Sequence, residues 1–141
     1  MIGLTLILTI LVATSFLVAD TDSVHATERG QCPTHIAGEW YNPEAELHDL
    51  SRMHLKVDCT GSAPEISARV QTSCRPRDCS WGWSDGLLHQ SGIMLFQYGG
   101  IFKSQHLNVL PGQDRLEVHM KTSVHGDESK NLKRNFILLR D

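Results

Sequence analysis

The chain has 141 residues, 40% of them hydrophobic and 21% charged, with a formal net charge of -3. That length and composition suit one small domain with one modest core, and the slight excess of acid removes any electrostatic drive toward nucleic acid.

The first segment, MIGLTLILTILVATSFLVAD, carries no charged side chain before Asp20, and Val24-His25-Ala26 follows it as a small-x-Ala pattern. Residues 1–26 are therefore expected to be a secretory signal peptide cut after Ala26, with Ala19 as the second choice. An uncleaved anchor is the competing reading, because about eighteen apolar residues can just span a bilayer. Loss of the leader removes Asp20 and Asp22, leaving a net charge of about -1. Residues 27–36, beginning TERGQCPTH, read as an irregular N-terminal arm, and residues 37–141 as a single β-domain.

All four cysteines, Cys32, Cys59, Cys74 and Cys79, follow the leader. An even count in an oxidising compartment reads as two disulfides, and four cysteines allow three connectivities. Sequence proximity across a proline-containing turn favours Cys74 with Cys79, and Cys32 with Cys59 would tie the arm to an early strand.

Strands are expected at 37–42, 52–59, 65–73, 80–90, 92–98, 100–110, 114–122 and 132–140. Three of them show clean period-two alternation, with Met53, Leu55 and Val57, then Ile66, Ala68 and Val70, then Leu116, Val118 and Met120 on the buried face. The connections carry turn chemistry: Thr60-Gly61-Ser62, Gln90-Ser91-Gly92, Gly99-Gly100, Pro111-Gly112 and Gly126-Asp127. No window has a helical stripe. The expected fold is all-β, a small antiparallel up-and-down barrel of about eight strands, because closure spares a small sheet its exposed edges; a β-sandwich is the alternative.

Several constellations are weaker than they look. Gly82-Trp83-Ser84-Asp85-Gly86 matches G-x-S-x-G, but that elbow needs a strand, a turn and a helix in a larger parallel-sheet domain. Cys74 and Cys79 are spaced too widely for a zinc knuckle or a C-x-x-C redox pair. Asp127-x-Ser129-x-Asn131 lacks the glycine and glutamate of a calcium loop. His54 and His119 fall on the solvent faces of their strands, whereas His106 shares a face with Phe102 and Leu110 and is expected to point inward. No catalytic set, metal site or cofactor is expected.

Trp40-Tyr41-Asn42, then Cys74-Arg75-Pro76-Arg77-Asp78-Cys79-Ser80-Trp81-Gly82, and then a closing strand from Phe136 to Arg140 form an ordered signature. In it the chain resembles a largely uncharacterised family of small exported bacterial proteins and lipoproteins marked by W-x-N and C-x-P-x-D-C-x-W-G. The resemblance implies an extracytoplasmic address, a β-barrel and a Cys74–Cys79 bridge, with Trp40, Asn42, Pro76, Asp78, Trp81 and Gly82 as structural signature residues; it implies no activity. Gly38-Glu39-Trp40-Tyr41-Asn42 also resembles the opening strand of avidin-like and lipocalin-like barrels. The Gly-Ser pair that follows in avidins is replaced here by Pro43-Glu44, so the likeness implies architecture and not biotin binding.

The expected function is that of a secreted or periplasmic, non-enzymatic binding module, its partner a small apolar ligand or an extracytoplasmic protein, with neither nucleic acid nor, once the leader is cut, a membrane. Tyr41, Trp83 and His106 are the candidate ligand-facing residues. The alternative is an inhibitor of a protease or lysozyme that inserts Thr27–His35 or Pro43–Leu50 into a cleft. An enzyme ranks last, since no nucleophile, base and orienting group can be assembled.

Overall fold

The computed structural model describes residues 32–141; the expected signal peptide and the start of the arm lie outside them. Eight strands follow in chain order: β1 (Gly38–Tyr41), β2 (Leu50–Asp58), β3 (Glu65–Thr72), β4 (Cys79–Leu88), β5 (Met94–Gly99), β6 (Lys103–Pro111), β7 (Arg115–Val124) and β8 (Leu132–Arg140). Each pairs antiparallel with the next, and β1 closes onto β8 through Trp40↔Arg140 and Tyr41↔Leu139. The result is a closed up-and-down barrel.

The alternation that marked the strands becomes the inside and outside of the wall. Met53, Leu55, Ile66, Ala68, Val70, Leu116, Val118 and Met120 all face inward and are buried. Phe96, Leu107, Val109, Phe136 and Leu138 complete a continuous core. Eight strands leave an interior just wide enough for side chains to fill, so this core is a plug rather than a channel.

One end of the barrel is sealed. Residues Thr34–Ile36 form a single 3-10 turn, so the arm is not wholly irregular, and Ile36 inserts beneath the core with 1% exposure. The buried indole of Trp40 donates from Nε1 to the Ile36 carbonyl at 2.9 Å. Arg140 lies over the Trp40 ring, 4.2 Å from its centroid, and donates to the carbonyls of Ala37 and His35. A cation over an indole face, with its donors spent on backbone carbonyls, fixes the last strand against the first. The first and last motifs of the signature therefore meet at one contact. Cys32–Cys59 bridges the arm to the end of β2, and Cys74–Cys79 closes the β3–β4 connection at the opposite end.

The G-x-S-x-G match lies inside β4, where Ser84 Oγ donates to the Gln97 carbonyl at 2.9 Å. It forms no elbow. Near Asp127, a 3-10 turn at Glu128–Lys130 brings Ser129 Oγ and Lys130 Nζ to the carboxylate, and these contacts hold its pKa below the usual carboxylate range. That is a self-satisfied turn.

Candidate functional site

The end opposite the Trp40 seal is open. The inward-facing sets are apolar through the core and gain polar members toward the mouth: Thr72 on β3, Gln105 on β6, Thr122 on β7 and Arg134 on β8. Their registers place them on adjoining rungs, Tyr98↔Gln105, Gln105↔Thr122, Thr122↔Leu132 and Met120↔Arg134. Above Met120 and Tyr98 the packing stops, and a cavity of about 630 Å³ opens to the mouth.

Trp81 forms one wall of this cavity, and a β-bulge puts it there. Arg69 pairs with Trp83 but Gln71 pairs with Ser80, so β4 spends two residues, Trp81 and Gly82, opposite Val70. Gly82 takes the extra position at φ +82°, a conformation costly for any residue with a Cβ. In a regular strand Trp81 and Trp83 would share a face. The bulge turns Trp81 inward, edge-on to Tyr98 with ring centroids 5.4 Å apart, and Trp83 outward.

The β4–β5 seam is joined only through Gly86↔Phe96, Leu87↔Leu95 and Leu88↔Met94. Toward the mouth the two strands separate, and the Trp81–Tyr98 contact and the Ser84–Gln97 hydrogen bond span the gap. Tyr98 OH donates to the Ala68 carbonyl at 2.7 Å, and burial pushes its phenol well above the ordinary tyrosine pKa. It stays a neutral hydroxyl.

The rim is braced by the signature residues. Asn42 donates from Nδ2 to the Leu50 carbonyl at 2.9 Å and accepts the Glu44 amide at Oδ1, which shapes the β1–β2 loop. Asp78 accepts a 2.6 Å hydrogen bond from Ser51 Oγ. His48 N–H donates to the Ser73 carbonyl and Ser73 N–H to the Asp49 carbonyl, both at 2.8 Å. Asp49 accepts from Arg134. The β1–β2 loop is thus stitched to β8 and to the β3–β4 connection containing Pro76 and the Cys74–Cys79 bridge.

The three candidate ligand-facing residues stand on the outer wall. Tyr41 pairs with the outward Arg52. Trp83 is 42% exposed, with Lys56 Nζ 4.0 Å and Arg69 5.6 Å from its ring and His54 tilted against it. His106 lies across from Gln97 and Lys121, and the inward positions of β6 are Gln105, Leu107 and Val109. Reading β6 from Phe102 shifted its phase by one, because Phe102 belongs to the hairpin tip and the strand begins at Lys103. The polar members of the inward sets carried the missed signal: Gln105, Thr122 and Arg134 each lie two residues from a buried apolar neighbour, Leu107, Met120 and Phe136.

Among the described residues no cluster of three metal-ligating side chains occurs, and no helix is long and apolar enough to cross a membrane. No family model, curated protein or solved structure matches the chain.

Proposed function

We propose that this chain is an exported, non-enzymatic β-barrel binding protein that takes a small, largely apolar ligand into its mouth. The observation that carries this reading is the change inside the barrel, from a packed plug below Met120 and Tyr98 to a cavity of about 630 Å³ bounded by the Trp81 indole. Small-molecule sites are commonly clefts of roughly 300–1,000 Å³, mostly apolar with a few convergent polar groups. Export is supported by the leader-like residues 1–26, by disulfides of the kind that persist in oxidising compartments, and by the resemblance to exported proteins.

The test is a titration with N-phenyl-1-naphthylamine, a neutral probe whose fluorescence rises in apolar surroundings. One probe should bind per chain, Thr122→Trp should block it by filling the opening, and Leu87→Ser, on the outer wall, should leave it unchanged. Absence of binding to the wild-type chain would overturn the reading.

A second reading, inhibition of a protease or lysozyme, is favoured by the β5–β6 hairpin tip, where Ile101 and Phe102 project with 86% and 80% exposure. Of the segments expected to insert, Thr27–His35 is described only from Cys32 onward, where the His35 carbonyl is held by Arg140, and in Pro43–Leu50 Asp49 accepts from Arg134 on β8. The hairpin tip adds a third candidate inserting element. Its test is slowed turnover of an exported protease or lysozyme that Phe102→Ser relieves.

A further inference from the structure

We infer that the mouth ligand carries an anionic group, a carboxylate, sulfonate or phosphate joined to an apolar body; this rests on the reading of the mouth as a ligand site. The first ground is the charge of the lining. Lys103 and Arg134 contribute to it and no aspartate or glutamate does. Asp49 offsets Arg134 through one N–H, leaving the rest of the guanidinium's donors for another acceptor. Lys103 makes no ion pair among the described residues.

The second ground is which atoms are already used. Thr122 donates its hydroxyl proton to Gln105 Oε1, so the carbonyl end of that amide is engaged and its NH2 end remains to donate. The Tyr98 proton is spent on the Ala68 carbonyl. Beside Trp81 and Leu132 the cavity thus offers an ammonium, a guanidinium and an amide NH2 as donors, and its side-chain oxygens are the neutral ones of Thr72, Tyr98, Gln105 and Thr122. An ionised oxygen acceptor would make charge-assisted hydrogen bonds with all three donors and an ion pair with two of them, whereas an ammonium ligand would meet no carboxylate in the lining. The indole and Leu132 suit the remainder of the molecule.

The experiment compares 1-anilinonaphthalene-8-sulfonate with N-phenyl-1-naphthylamine, which is the same ring system without the sulfonate, on the wild-type chain and on surface-charge variants. The anionic probe should bind about tenfold more tightly than the neutral one, and Lys103→Gln should remove most of that advantage by weakening the anionic probe far more than the neutral one. Lys103→Glu should weaken the anion further. Lys56→Gln, beside Trp83 on the outer wall, should change neither. Equal affinities for the two probes would overturn the anionic group while leaving the mouth site standing. A loss on Lys56→Gln that Lys103→Gln does not show would move the anion to the outer wall and overturn the inference. If neither probe binds, the mouth reading fails with it.

Discussion

Gly86 stands directly across from Phe96 at the narrow β4–β5 seam, with the phenyl ring lying over its backbone. A Cβ at this position would sit 2.4 Å from Cε1 and 2.7 Å from Cδ1 of that ring, so the ring would have to withdraw by about 1 Å to reach ordinary contact. Phe96 is 3% exposed and held in the core, and a close-packed interior offers it no free volume. Overpacking of this kind costs about 1–3 kcal/mol, and the clash argues for the upper half. Against it, alanine narrows the unfolded ensemble and recovers about 0.5–1 kcal/mol. Gly86→Ala should therefore destabilise by about 2 kcal/mol, or lower Tm by roughly 8 °C. Urea unfolding with the disulfides intact measures it as a lower midpoint at unchanged slope. Phe96→Leu on its own should cost about 1.5 kcal/mol, yet added to Gly86→Ala it should cost nearly nothing because it relieves the clash, giving a coupling of about 1–2 kcal/mol. A neutral or stabilising Gly86→Ala would mean that backbone propensity alone governs the site and would refute the packed seam.

Gly82→Ala meets no atom within 4 Å of its new Cβ, so its cost is the positive φ alone, about 1–2 kcal/mol by chemical denaturation. A loss below about 0.5 kcal/mol would argue against the bulge. Removing Cys32–Cys59 by paired serine substitution should cost about 3.5 kcal/mol and removing Cys74–Cys79 about 2 kcal/mol, following the sequence separations of 27 and 5; the reverse order would break the loop-entropy argument. The raised pKa of Tyr98 makes the folded chain hold a proton that the unfolded chain releases above pH ~10, so this contribution is intact below that pH and declines above it by up to ~1.4 kcal/mol per unit. Tyr98→Phe should cost about 1 kcal/mol at pH 7, and its deficit should shrink as pH rises past 10; a deficit constant with pH would place the phenol in water.

The barrel was legible because two local signals agreed along the chain. Alternation marked the inner face of β2, β3 and β7, and glycine, proline and small polar residues fell between strands, leaving little choice but consecutive antiparallel pairing. The division between Trp81 and Trp83 was not legible in the same way. Period two assigns both to one face, and only the bulge at Gly82, which depends on how β4 registers against β3, separates them. His106 failed for a related reason: the phase of β6 is set by where the hairpin tip ends, and Ile101-Phe102 reads as strand although both project into solvent. The mouth needed topology as well. Thr72, Gln105, Thr122 and Arg134 each look like ordinary polar strand residues until barrel closure brings their inward positions to the same end.

The three tryptophans report on three separate places: Trp40 at the sealed end, Trp81 in the mouth and Trp83 on the outer wall. Following their indole N–H resonances during addition of N-phenyl-1-naphthylamine tests the account most directly. The Trp81 resonance should move in a saturable, one-to-one manner while those of Trp40 and Trp83 stay in place. Movement of Trp83 with Trp81 still, or of no indole at all, would contradict it.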